Sequence, residues 1–168
     1  MTIYIVLRYK WMNANPVPLP DQLNLLQALA EFRYQLRSFL QFSEQAAHQL
    51  ELQPQQHQLL LQIAGVPNGT LPTIAYAAER LSLRHNTVVE LVDRSVSQGL
   101  LTRSEDPDDR RRVILTITKK GRTLLNSLSE HHARELRELG PRLIRSLKHV
   151  EATHPAGESS QKLQRRPQ

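Results

Sequence analysis

Thr73-Ile-Ala-Tyr-Ala-Ala-Glu-Arg-Leu-Ser-Leu-Arg-His-Asn-Thr-Val-Val-Glu-Leu-Val-Asp-Arg94 is followed by Gly99-Leu-Leu-Thr-Arg-Ser-Glu-Asp-Pro-Asp-Asp-Arg-Arg-Arg112, then by Val113-Ile-Leu-Thr-Ile-Thr-Lys-Lys-Gly121. Thr73 is an N-cap residue, and Ile74, Ala77, Ala78 and Leu81 repeat at helical spacing, so a short helix is predicted over about 73–82. After a turn near 82–84, Val88, Leu91, Val92 and Val96 mark a second helix over about 84–98, stopped by Gly99. The period then changes. Residues 100–104 and 113–118 read as strands, with Val113, Leu115 and Ile117 alternating on one face, and the charged segment 105–112 joins them as a hairpin. Thr118 caps the helix that follows.

Working outward, Pro16, Pro18 and Pro20 close an extended or flexible leader over 1–20, because proline blocks helical propagation. Asp21 is the expected cap of a long helix over about 21–49, whose stripe is Leu25, Leu26, Leu29, Phe32, Leu36, Phe39 and Leu40. Pro54 opens a second helix with Leu59, Leu60, Ile63 and Ala64 as its buried face and Gly65 as its stop. Beyond the hairpin, Leu124, Leu125, Leu128, Leu136 and Leu139 form another stripe. Gly140-Pro141 is expected to break that helix, with Leu143, Ile144, Leu147 and Val150 on a last one. From Glu151 the chain offers almost nothing to bury, so 151–168 is expected to be a disordered tail.

Composition narrows the functions. The 168 residues suit one domain with a real core. A formal net charge of +6 favours a polyanionic partner. The chain has no cysteine, so disulfides, thiolate metal sites and thiol chemistry are excluded. Ile3–Leu7 is too short for a signal-peptide core or a membrane span, and no later run is long enough. A cytoplasmic protein with no membrane role is expected.

The central stretch has the parts of a DNA reader. The major groove admits a helix, and the N-terminal turns of that helix reach the base edges. With the apolar stripe of 84–98 turned inward, His85, Asn86, Thr87, Glu90, Arg94 and Ser97 are left facing out. Asn can pair with adenine, Arg with guanine, and Glu can accept from cytosine. At the hairpin tip, Arg110, Arg111 and Arg112 suit the negative potential of a narrow minor groove, while a neighbouring carboxylate preorganises a guanidinium fork. A solvated helix face beside an ordinary charged turn explains each half alone but not their succession.

Leu-Pro-Thr-Ile, Ala-Glu-Arg-Leu, Val-Glu-Leu-Val-Asp-Arg, and Asp-Pro-Asp-Asp-Arg-Arg-Arg with a following Thr-x-x-Gly resemble the MarR family of bacterial regulators over about residues 21–150. The resemblance implies a mainly α fold with a small β-hairpin wing, a winged helix-turn-helix with N- and C-terminal dimerisation helices. It implies a DNA-binding lobe over about 53–118 and dimerisation helices over about 21–49 and 119–150. It further implies a homodimer on a palindromic double-stranded DNA site, a repressor often released by a small anionic or aromatic effector. Carried over by position, the recognition contacts fall on Asn86, Thr87, Glu90 and Arg94, the wing contacts on Arg110 and Arg111, and the orienting carboxylate is Asp109. An effector pocket would lie among the first, second and fifth helices, with Phe39, Phe42 and His57 as candidate walls. Two departures are visible: Gln53 stands where a Thr or Ser cap is common, and Glu90 stands where a small polar or basic residue is common.

Other chemistries find less support. Adjacent His131 and His132 point about 100° apart on a helix, and zinc needs three or four converging ligands, so no metal and no cofactor is expected. No phosphate loop, nucleophile elbow or metalloprotease pair is present, so no enzyme is expected. The competing reading is a winged-helix architectural or protein-interaction module without an operator or effector. Such a module tolerates acidic or apolar residues where this chain keeps Asn86, Thr87, Arg94 and the arginines.

Overall fold

The computed structural model describes residues 20–153, with side chains from Gln22 onward. The leader over 1–19 and residues 154–168 lie outside the described residues. Five helices and a hairpin follow in order: α1 (Pro20–Gln49), α2 (Pro54–Ala64), α3 (Ile74–Leu81), α4 (His85–Ser97), β1 (Leu101–Glu105), β2 (Val113–Ile117) and α5 (Lys119–Thr153). The strands pair antiparallel, from Leu101 opposite Ile117 to Glu105 opposite Val113. The described residues divide into two compact units, one over 39–137 and one formed by 20–38 with 138–153. This is the mainly α fold with a β-hairpin wing that the sequence implied.

The unit over 39–137 holds the main core. Leu59, Leu60 and Ile63 of α2, Ala77 of α3, and Val88, Leu91 and Val92 of α4 are all buried, together with Leu101, Leu115, Leu125 and Leu128. These are the helical and alternating positions of the sequence, which is why the stretch folds as read. The caps hold too. The Tyr76 N–H donates to Thr73 Oγ1 at 3.2 Å, Ser82 takes the left-handed conformation that ends α3 (φ 54), and the Gly121 N–H donates to Thr118 Oγ1 at 3.1 Å. Gly121 has a second role. A Cβ at this position would collide with the Leu100 carbonyl oxygen and lie 3.0 Å from Ile117 Cγ1, so the start of α5 packs directly on the wing only because that Cβ is absent. The hairpin is also stitched to the front of α3, where the Leu115 N–H donates to the Pro72 carbonyl at 2.8 Å.

Several expectations are corrected. Helix α1 begins at Pro20 and places Asp21 inside, since proline fits a first turn that needs no N–H partner. Ala64 is exposed, and the polar Gln56 and His57 are buried on α2 in its place. The first strand runs one residue later than expected. Gly140-Pro141 does not end the last helix: α5 is one 35-residue helix with Pro141 inside it and it extends through Thr153, so 151–153 are helical. A mid-helix proline costs about 3 kcal/mol, a sum that two long stripes of helix-forming residues on either side can offset.

In the unit formed by 20–38 and 138–153, Ala28, Gln35, Leu139 and Ser146 are buried. Gln35 Nε2 donates to Glu31 Oε1 at 2.6 Å. A groove of about 900 Å³ is lined by Gln27, Glu31, Arg142, Arg145 and Lys148, among others. Among the described residues the α1 stripe is left partly uncovered: Leu26 is 53% exposed and Leu36 38%, while on α5 Ile144 is 57% and Leu147 43% exposed.

Candidate nucleic-acid interface

Helix α4 presents the expected row. His85, Asn86, Glu90 and Arg94 are exposed and Thr87 is half-buried, while Val88, Leu91, Val92 and Ser95 lie beneath. No side chain caps its N-terminus, so the first-turn N–H groups remain open. From below, Gln56 Nε2 donates to Gln98 Oε1 at 2.8 Å and to Ser95 Oγ at 3.4 Å, which fixes α4 against α2. The same residue also closes the start of α2, where Gln53 stands in place of a Thr or Ser cap: the Gln53 N–H donates to Gln56 Oε1 at 3.3 Å. Arg94 makes no ion pair with Glu90 among the described residues and borders a groove with Glu44, Gln55 and Gln98.

The wing tip is organised differently from expectation. Asp109, the expected orienting carboxylate, lies beside one arginine but is not its main partner: its Oδ1 accepts from the Arg111 backbone N–H at 3.0 Å, and its Oδ2 lies 3.5 Å from Arg112 Nε. The main carboxylate is Asp106, only 2% exposed. Its Oδ2 lies 2.9 Å from Arg112 Nε, and its Oδ1 accepts from the Asp108 N–H at 2.9 Å. Arg112 is therefore a half-exposed brace paired with two carboxylates, whereas Arg110 and Arg111, also exposed, pair with no carboxylate among the described residues. Sequence reasoning weighed Asp106 with Asp108 and Asp109 but singled out Asp109, although an Asp accepting from the N–H two residues on is a turn signature that Asp106-Pro107-Asp108 displays. It passed over Arg103 on β1, whose Nη2 lies 2.6 Å from Asp93 Oδ1 of α4.

Phe39, Phe42 and His57 do come together, around a residue not foreseen there. The His57 and His132 rings stack at 4.9 Å with an interplanar angle of 5°. Phe39 and Phe42 meet His132 edge-on at 5.9 and 5.8 Å. Burial, with the neighbouring His132 second, pushes His57 down to about 4. Burial also lowers His132, against the pull of the Leu128 backbone. Its Nε2 is buried without a hydrogen-bond partner. A small groove of about 160 Å³ opens beside the cluster between Phe42, Gln45 and His131. Among the described residues no three His, Cys, Asp or Glu side chains converge as a metal site, and no helix is long and apolar enough to cross a membrane.

Residues 50–112, from the end of α1 to the wing tip, match the model of the MarR family. The match spans 63 of the 168 residues and takes in α2, α3, α4 and most of the wing. No curated protein sequence matches the chain. Among solved structures, AbsC, a MarR family transcriptional regulator from Streptomyces coelicolor, is 14% identical with a TM-score of 0.63, over 82% of this chain and 92% of that one. A mutant of MarR from E. coli complexed with operator DNA is 19% identical with a TM-score of 0.58, over 71% and 87%. A MepR–DNA complex from S. aureus is 20% identical with a TM-score of 0.59, over 72% and 88%. At these identities the likeness establishes the shared winged-helix fold.

Proposed function

We propose that this chain is a sequence-specific transcription regulator that binds double-stranded DNA as a homodimer in the cytoplasm. It represses from a pseudo-palindromic operator and is released by a small aromatic or anionic effector. The observation that carries the reading is the pairing of two surfaces. The exposed row of His85, Asn86, Glu90 and Arg94 on α4, with Thr87, belongs beside a wing whose Arg110 and Arg111 are left without carboxylate partners. A helix in the major groove and a guanidinium in the adjacent minor groove use those surfaces for base readout and for groove potential respectively. MarR and MepR solved with DNA support the same use of this fold.

The remaining parts fit this division of labour. The lobe over about 53–118 would carry the DNA contacts, and the segments 21–49 and 119–150 would carry dimerisation. Uncovered Leu26, Ile144 and Leu147 are the kind of surface a second copy buries. The ring cluster of Phe39, Phe42 and His57 around His132 supplies apolar walls and ring nitrogens for an aromatic or anionic effector. Asp106 and Asp109 serve as braces of the wing and do not touch DNA.

The test is enrichment of genomic fragments on the purified protein, followed by sequencing. Expected is a shared inverted repeat with half-sites about one helical turn, roughly 34–36 Å, apart. Asn86→Ala should relax preference at one position of each half-site. Enrichment without any common motif would defeat the regulator reading and favour an architectural role.

A further inference from the structure

Between the two proposed reading elements lies a connection that neither accounts for. Helix α4 passes into β1 through Gln98, Gly99 and Leu100, with Gly99 in a left-handed conformation (φ 70). The Gly99 and Leu100 N–H groups close onto the Val96 and Ser95 carbonyls at 2.8 Å each. That turn fixes where the chain leaves the helix, and the Leu115 N–H bond to the Pro72 carbonyl ties β2 to the front of α3, but neither sets the approach of β1 to the face of α4. Three residues into β1, Arg103 returns to α4. Its Nη2 lies 2.6 Å from Asp93 Oδ1 and 3.4 Å from the Val89 carbonyl oxygen. Val89 and Asp93 are one helical turn apart, on the ridge next to the row of Asn86, Glu90 and Arg94. A planar guanidinium held at two points of one helix resists rotation as well as displacement.

We infer that Arg103 is a positioning residue that sets the distance between the base-reading face of α4 and the wing. It thereby dictates how many base pairs separate the half-site from the minor-groove flank that the wing enters. The inference rests on the DNA-binding reading above and extends it to specificity. Its distinguishing consequence concerns Asp93. A carboxylate beside DNA repels phosphate, so if Arg103 merely bound the backbone and Asp93 were incidental, neutralising Asp93 would tighten binding. If the pair is a spacer, neutralising either partner has the same effect, and the effect falls on spacing.

Binding selection on duplexes with randomised half-sites and flanks, run with the full chain, tests this in Arg103→Gln, Arg103→Lys, Asp93→Asn and the double variant Asp93→Asn/Arg103→Gln. Melting curves accompany each protein, and the two mild substitutions, Arg103→Lys and Asp93→Asn, keep the test open should Arg103→Gln fold poorly. Expected is an unchanged inverted repeat in every variant. The preference for a correctly spaced flank over one displaced by a base pair should fall about two- to fivefold, the scale of one exposed ion pair. The double variant should be no worse than either single one. Unchanged spacing preference with evenly weakened binding would overturn the positioning role, as would tighter binding by Asp93→Asn. A wild-type protein that selects no inverted repeat would instead overturn the DNA-binding reading, and this inference with it.

Discussion

Gly121→Ala is expected to destabilise the lobe, although alanine is the better helix former. The new methyl group would collide with the Leu100 carbonyl and crowd Ile117 Cγ1 at 3.0 Å. Leu100 cannot simply retreat. Its carbonyl accepts from the Thr118 N–H at 3.0 Å and its own N–H is bound to the Ser95 carbonyl at 2.8 Å, while Thr118 Oγ1 adds a contact at 3.2 Å. Overpacking of this kind costs about 1–3 kcal/mol, and each weakened hydrogen bond adds about 0.5–1.5 kcal/mol. A gain of about 1 kcal/mol from helix propensity offsets part of it. The net loss is about 1–3 kcal/mol, a fall in Tm of roughly 2–12 °C for a chain of this size. The matched control is Gly140→Ala on the same helix, where a Cβ would meet nothing within 4 Å; it should hold or raise Tm. Thermal melts followed by circular dichroism decide the matter. A Gly121→Ala protein melting with wild type, or a Gly140→Ala protein losing as much, would refute the argument that contact with Leu100 imposes glycine.

Three more outcomes are expected. Asp106→Ala should cost about 1–3 kcal/mol, the penalty for leaving its partners unmatched, and loosen the wing tip in hydrogen exchange; weaker duplex binding despite a more positive surface would separate bracing from repulsion, whereas tighter binding would contradict it. Lowering pH should destabilise the fold through His57: its folded value of about 4 lies below the ordinary 6.5, so its stabilisation is complete above about 6.5 and is lost as pH falls toward 4. That loss reaches at most about 3 kcal/mol and less with solvent relaxation. His57→Phe should flatten the change in urea midpoint between pH 7.5 and 4.5, and an unchanged slope would remove His57 as its source. Finally, the uncovered leucines of α1 and α5 predict a dimer mass in sedimentation at micromolar concentration, and Leu26→Glu/Ile144→Glu should yield a monomer. A stable wild-type monomer would contradict the dimer.

The winged lobe was legible because its signals are local. Val88, Leu91 and Val92 declare one helix face, Val113, Leu115 and Ile117 declare one strand face, and Thr73 and Thr118 are caps whose partners lie three residues away. What escaped depends on tertiary contact or on competing local signals. Nothing near His132 in sequence says that it will stack on His57 and collect two phenylalanines, because those rings arrive from α1 and α2. Asp106, Asp108 and Asp109 look interchangeable until folding buries one of them. Gly140-Pro141 has the composition of a break, but a proline removes only one rung, and the residues around it still favour helix. Whether Arg110 or Arg112 faces outward was equally unreadable, since only the geometry of the turn tells them apart.

The lobe is fastened by two kinds of bond that answer differently to ionic strength. The buried Gln56 amide holds α4 from beneath through neutral partners, buried Ser95 and exposed Gln98, and mobile ions do not screen such contacts. Arg103 holds the wing to the same helix through opposite charges, with Asp93 more than half exposed, where screening acts within a Debye length of about 8–10 Å. Rising salt therefore weakens the tie between β1 and α4 at Arg103, while the neutral bonds that seat α4 on α2 and the wing on α3 keep their strength.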